Sequence, residues 1–168
     1  MKKNLRMLML AVVLGVSLML TACGGGGGNA GGGGGGTAGG GAAGGGATTI
    51  DIGSDGENLA FDKTTLEATA GQPVTLNFKN NSAVQQHNWV LVKGGEDVAK
   101  TVADSGLTRG AENDFLPEDM STVLAHTKVH NGGESETLNF TAPAAGSYLY
   151  ICTVPGHYPL MQGTMTVK

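Results

Sequence analysis

Cysteine is nearly absent from these 168 residues, which contain only Cys23 and Cys152. If Cys23 is used in export, the remaining domain has one thiol and cannot close an internal disulfide. Basic residues are also few. From residue 47 onward all 14 acids face seven of the ten bases, and seven minus 14 leaves −7. A surface of that sign does not neutralise phosphates, which excludes nucleic acid as a partner, and an anionic membrane surface repels it. The longest apolar run, Met7 to Leu20, is 14 residues. That is short of the ~20 needed to cross a bilayer.

What is present divides the chain into three parts. Lys2, Lys3 and Arg6 precede the apolar run, and Leu20-Thr21-Ala22-Cys23 follows it. A charged start, a short apolar core and small residues at a cleavage point read as an export signal over residues 1–22. The Leu-Thr-Ala-Cys sequence resembles a bacterial lipobox, so Cys23 is expected to carry lipid, and diacyl anchoring is stable where one chain is marginal. An uncleaved anchor, or a secretory signal with an incidental Cys, is the competing reading. Between Gly24 and Gly46 there are 17 glycines in 23 residues. Such a tract cannot offset its ordering entropy and reads as a flexible tether with an r.m.s. reach of roughly 25 Å. Either a steering function or a passive spacer fits that composition.

Residues 47–168 form the folding unit, long enough for one core. Ile50 and Ile52; Val74, Leu76 and Phe78; Trp89 and Leu91; Leu138 and Phe140; Tyr148 and Tyr150; and Met165 and Val167 each sit two apart. That is the period of a half-buried strand. Gly71, Asn80-Asn81, Gly94-Gly95, Gly132-Gly133 and Ala144-Ala145-Gly146 punctuate them as turns. The pattern predicts an all-β, two-sheet Greek-key sandwich. It breaks between Gly106 and His130, where Pro117-Glu118-Asp119 predicts the start of one short helical insertion.

Chemistry concentrates in Cys152-Thr-Val-Pro-Gly-His157-Tyr-Pro-Leu-Met161. A lone buried thiol is ordinarily a small hydrophobe, and a lone Met is core filler. Here Cys152 precedes His157 by five residues and Met161 by nine. An unpaired thiol in an exported domain is open to oxidation unless something protects it. Thiolate, thioether and imidazole together favour copper, and a His2Cys site with a long axial Met describes blue-copper electron transfer. His87, in the alternating run Gln86-His87-Asn88-Trp89-Val90-Leu91, is the candidate second histidine. The predicted ligand set is therefore His87, Cys152, His157 and Met161.

This loop, the His-Asn-Trp-Val-Leu segment, the stretch Val123-Leu-Ala-His126-Thr-Lys128 and the ending Gly163-Thr-Met-Thr-Val-Lys168 resemble the azurin group of cupredoxins. The lipobox and glycine tract add a resemblance to the auracyanins within it. The likeness runs from about Gln86 to the C-terminus. One departure is that azurins carry a disulfide near the start of the domain, for which this chain has no cysteines.

The resemblance implies a cupredoxin-like fold and one type 1 copper. It also implies backbone N–H groups of Asn88 and Val154 aimed at the Cys152 sulfur, and a weak axial contact from the Gln86 carbonyl. Pro155 has no N–H to add; it stiffens the loop, as does Pro159. Electrons would pass at the His157 edge, within an apolar patch that includes Tyr158, Pro159 and Leu160. The implied partners are a membrane quinol-oxidising complex and a c-type cytochrome or reaction centre, on the periplasmic or outer face of the membrane. The chain is expected to be a carrier and not an enzyme, since it has no second domain or second cysteine for a substrate-binding copper centre. The alternative is a periplasmic copper storage or delivery module.

His126 and His130 lie four apart. On a helix they would face one way and form part of a second metal site, whereas the neighbouring Thr and Lys favour a solvated face.

Overall fold

The computed structural model describes residues 46–168. The expected signal, Cys23 and the glycine tether up to residue 45 lie outside the described residues. The elements in chain order are β1 (Thr48–Gly53), β2 (Thr65–Ala68), β3 (Pro73–Lys79), β4 (Val90–Val92), α1 (Glu96–Arg109), β5 (Val123–His126), β6 (Ser135–Thr141), β7 (Gly146–Ile151) and β8 (Gln162–Val167), with single 3-10 turns at Ala111–Asn113 and Met120–Thr122. They build a three-stranded sheet, β1-β3-β6, and a five-stranded sheet, β2-β8-β7-β4-β5. Within a sheet only β4–β5 and β7–β8 join strands consecutive in the chain, and the remaining connections cross between sheets as in a Greek key.

Strand alternation sorts side chains into layers. In β3, Val74, Leu76 and Phe78 are buried, while Thr75 and Asn77 face out and are hydrogen-bonded across to Asn139 and Thr137 of β6. The inward residues of β1 and β3 meet Trp89, Leu91, Tyr150, Met165 and Val167 of the large sheet in the main core. The centre of the large sheet is buried on both faces. Leu91 and Tyr150 point into the main core, whereas Val90, Val92 and Ile151 join a second cluster with Ala99, Val102 and Leu116.

That second face explains where the helix lies. The expected helix after Pro117 is absent; a single turn there leads straight into β5, which pairs with β4. The helix is α1, 14 residues long, and it covers the outer face of β4 and β7. Glu96 and Asp97 in its first turn and Arg109 in its last complement the helix dipole. Its buried stripe is only Ala99, Val102 and Gly106. Three small residues at helical spacing carry little periodic signal, and Gly95, expected in a turn, is the N-cap. Strands β2 and β5 are also unmarked in the alternation pattern, each being four residues long.

Register then gathers one end of the large sheet. Val90 pairs with Ile151, and Ile151 pairs with Gln162. The residues just beyond these rungs are His87-Asn88 before β4, Cys152 after β7 and Met161 before β8. The β7–β8 connection is thus the Cys152–Met161 loop.

Candidate metal centre

Three donor atoms converge at this end. His87 Nδ1 and His157 Nδ1 are 3.2 Å apart, and the Cys152 Sγ lies 3.8 Å from the first and 3.6 Å from the second. Among the described residues this is the grouping of three or more His, Cys, Asp or Glu side chains able to hold one ion. A first-row divalent ion bound in the plane of its donors, at about 2.0–2.1 Å to nitrogen and about 2.3 Å to sulfur, spaces the nitrogens about 3.5 Å apart and nitrogen from sulfur about 3.8 Å. The observed triangle agrees to within a few tenths of an ångström, so the residues fit a metal.

Met161 closes the same loop from below. It is fully buried, its carbonyl accepts from the Cys152 N–H at 3.0 Å, and its own N–H donates to the His157 carbonyl at 2.8 Å. The loop between is internally tied: His157 N–H donates to the Val154 carbonyl and Leu160 N–H to that of His157, both at 3.0 Å. Gly156 supplies the one left-handed residue of the loop, φ +83°. Pro155 and Pro159 are exposed on its outer surface.

Burial sets the protonation states. The Cys152 thiol is pushed up to about 12 by burial, opposed by hydrogen bonds from the backbone N–H groups of Asn88 and Val154, the two donors expected at this sulfur. His87 is pushed down to about 4 by burial first and then by the neighbouring His157; burial also lowers His157. At neutral pH the metal-free site therefore holds a thiol and two neutral imidazoles. Two consequences are measurable. Copper(II) taken up at pH 7 should displace about one proton, from Cys152, as metal binding releases the protons its ligands carry; pH-stat titration reads this. Because the His87 pKa is depressed on folding, its contribution to stability is present above pH 6.5 and is lost as pH falls toward 4. Unfolding titrations of metal-free protein at the two limits should differ by up to about 3 kcal/mol more than for His87→Gln.

The far side of His87 is unusual. Its Nε2 is buried with no hydrogen-bond partner among the described residues, whereas metal-bound imidazoles generally donate there. The ring is held instead through its backbone, which exchanges hydrogen bonds with His130: His87 N–H to the His130 carbonyl at 3.1 Å, and His130 N–H to the His87 carbonyl at 2.9 Å.

Asn88 contributes through its side chain, a role the sequence pattern does not reveal. Its Oδ1 accepts from Thr153 N–H at 2.8 Å, and its Nδ2 donates to Thr153 Oγ1 at 2.7 Å and to the Asp114 carbonyl at 3.0 Å. This buried strut joins the two ligand segments across 65 residues. No local pattern marks it; the one hint is a polar residue beside each of two buried donors, His87 and Cys152.

Of the other expected residues, Gln86 is exposed, its amide donating to Asn131 Oδ1 at 2.9 Å. Leu160 is 67% exposed next to half-buried His157. Tyr158 departs from the open patch: it packs against the cluster under α1, and its hydroxyl donates to Glu96 Oε2 at 2.7 Å. Burial, then the Glu96 hydrogen bond and the nearby acids, push that hydroxyl up to about 12. His126 and His130 do not share a helical face. His126 ends β5, and His130 lies in the extended segment beyond, its Nε2 against Glu136 Oε2 at 2.8 Å; that segment is extended because it goes on pairing with the chain before β4, through Thr127 N–H to the Trp89 carbonyl and the antiparallel His87–His130 bridge. Cys152 is the single cysteine among the described residues and is unpaired.

Comparison with known proteins agrees with this geometry. The family described as copper binding proteins, plastocyanin/azurin family, matches residues 48–168. Auracyanin-A of Chloroflexus aurantiacus is 57% identical over 168 residues, the whole of both chains. Azurin-1 of Alcaligenes xylosoxydans xylosoxydans is 37% identical over 126 residues, covering 70% of this chain and 95% of the azurin. The solved structure of auracyanin A, a "blue" copper protein of Chloroflexus aurantiacus, superposes with a TM-score of 0.72 at 61% identity, covering 73% of this chain and all of that one. The two sheets and single helix are thus the cupredoxin fold. With its fold, its donor triangle and these relatives in agreement, the chain belongs to the plastocyanin/azurin family of copper binding proteins, blue-copper proteins that transfer electrons through the metal.

Proposed function

We propose that this protein is a membrane-tethered carrier of single electrons, with one type 1 copper held by His87 Nδ1, Cys152 Sγ and His157 Nδ1. Met161, fully buried at the end of the same loop, would be the weak fourth ligand, and the Gln86 carbonyl would add a further weak contact. The observation that carries this reading is the closed donor triangle, with edges of 3.2, 3.6 and 3.8 Å. When bound, copper supplies the Cu(II)/Cu(I) couple, whose potential depends on the axial ligand and on hydrogen bonding at the sulfur.

The chain's own residues do the rest. Fully buried His87, Cys152 and Met161 exclude water, which disfavours the more highly charged oxidised state and raises the potential. The N–H groups of Asn88 and Val154 stabilise charge on the sulfur. A loop tied by its own backbone bonds and by Asn88 resists rearrangement between oxidation states. Half-buried His157, beside exposed Pro159 and Leu160, offers the contact for a redox partner. Small, transient interfaces suit such exchange.

Cys23 carries the lipid and residues 24–46 the tether, so the domain stays outside the cell membrane near its partners. The donor is a membrane quinol-oxidising complex, and the acceptor is a c-type cytochrome or reaction centre. The family's chemistry is electron transfer through copper, and the protein acts as a carrier and not an enzyme.

Stopped-flow mixing of reduced protein with an oxidised c-type cytochrome tests this. Transfer with a second-order constant of about 10⁵ M⁻¹s⁻¹ or more, within the ordinary range of protein association, is expected. Transfer no faster than with free copper, accompanied by rapid copper loss to a weak chelator, would replace the carrier by a storage or delivery module. Incorporation of labelled fatty acid, lost in Cys23→Ala, tests the anchor separately.

A further inference from the structure

We propose that Asn80 is a positioning residue for the metal centre: its buried side-chain amide fixes the backbone of Gln85–His87 and thereby sets the His87 ring and the Gln86 carbonyl. The inference rests on the ligand set proposed above.

Asn80 follows the last residue of β3 and is fully buried. Its amide has two donor hydrogens and an oxygen with two acceptor sites, and all four are used. Nδ2 donates to the Gln85 carbonyl at 2.8 Å and to the His130 carbonyl at 2.9 Å. Oδ1 accepts from Ser54 Oγ at 3.1 Å and from Ser82 N–H at 3.0 Å. The His130 carbonyl is also the acceptor for the His87 N–H. One nitrogen of Asn80 therefore grips both sides of Gln86, directly at the preceding carbonyl and through His130 at the following N–H.

Two further observations make this grip consequential. Among the described residues His87 Nε2 has no hydrogen-bond partner, so ring orientation is inherited from the backbone that Asn80 helps hold. The surrounding loops have no slack either. A Cβ at Gly132 would lie 2.5 Å from the Ser82 carbonyl oxygen, and Glu57 pins the start of the same loop, accepting from Ser82 Oγ at 2.7 Å and Ala83 N–H at 2.6 Å. With residues 82–84 anchored elsewhere, losing the Asn80 amide loosens the Gln85–His87 backbone, which keeps the Gln85 N–H bond to Ser82 Oγ and the paired bonds with His130, and leaves its neighbours in place.

The test compares Asn80→Ala with Ser54→Ala in the full chain. Ser54→Ala removes a hydrogen bond from the opposite side of the same amide, and two that its oxygen accepts, but leaves both bonds donated by Asn80. In Asn80→Ala, copper affinity should fall ~10-fold, the cost typical of losing a residue that orients a ligand. Its visible band ratio should change, and the His87 amide of the copper-free protein should exchange ~10-fold faster through local opening. Ser54→Ala should lose stability and leave all three unchanged. If Asn80→Ala does not fold, Asn80→Ser, which keeps a hydroxyl but cannot reach both carbonyls, is measured in its place. Unchanged affinity, bands and exchange in the Asn80 variant, or equal changes in Ser54→Ala, would overturn the proposal. A wild-type protein without the thiolate band would instead defeat the ligand set, and the exchange comparison would still report on the backbone grip.

Discussion

Cys152→Ser abolishes the intense visible absorption of the copper-loaded protein, leaving at most a weak band ~10-fold or more below it, because the colour belongs to the copper–thiolate bond. A serine hydroxyl does not ionise near neutral pH and is a harder donor, so copper affinity should also fall by more than the ~10–100-fold typical of residues that only orient a ligand. The fold should survive. The N–H groups of Asn88 and Val154 that serve the sulfur can donate to a hydroxyl oxygen in the same place, and the net change in stability of metal-free protein should stay within about 1.5 kcal/mol. Absorption spectra and unfolding curves of the two proteins separate these effects. A weak band of equal intensity in wild type and variant would mean that Cys152 is not a ligand, whatever the triangle suggests.

Asn88→Ala is expected to have a large effect on stability for a polar truncation outside the proposed ligands. It strips partners from the Thr153 N–H, the Thr153 hydroxyl and the Asp114 carbonyl at once, and each buried group left unpaired costs about 1–3 kcal/mol. Water entering the space recovers some of this. A net loss of about 3 kcal/mol, or roughly 10 °C in Tm, is expected. Asn88→Asp keeps the acceptor for Thr153 N–H but turns a second oxygen toward the Asp114 carbonyl, and should fall between wild type and Ala in spectrum. The same substitution should perturb the blue band, since Thr153 adjoins Cys152 and the strut fixes one ligand segment against the other. An Asn88→Ala protein with native Tm and native spectrum would show that the strut bears no strain between the segments.

Much of the fold is legible in the order of the amino acids. Five of the six alternating groups fall on strands of the observed sandwich, because one-faced burial imposes a two-residue period wherever one face meets the core. The sixth, Trp89 and Leu91, lies at β4, where Val90 and Val92 are buried too. A strand covered on both faces loses its alternation, and that loss is the clue to a helix behind it. The helix itself lies about twenty residues before the position expected for it. Its stripe of Ala99, Val102 and Gly106 is nearly silent in hydrophobic periodicity, and Pro117 offers a stronger but false start signal.

Three of the four proposed ligands are legible in the local chain. Cys152, His157 and Met161 share one hairpin connection between β7 and β8, so their proximity is guaranteed by spacing, and the soft donor set names the metal class. His87 needs the family resemblance, because 65 residues separate it from Cys152 and no local rule brings them together. The single thiol and the acidic balance are likewise matters of composition. The tertiary structure alone decided the dimensions of the triangle, the unpartnered Nε2 of His87, the displaced thiol and imidazole pKa values, the turn of Tyr158 toward Glu96, and the struts at Asn88 and Asn80. Each of these is a sum over contacts between segments far apart in the chain. Burial and hydrogen-bond partnership are set by which segments meet, and a sequence states that only where neighbours in space are also neighbours in order.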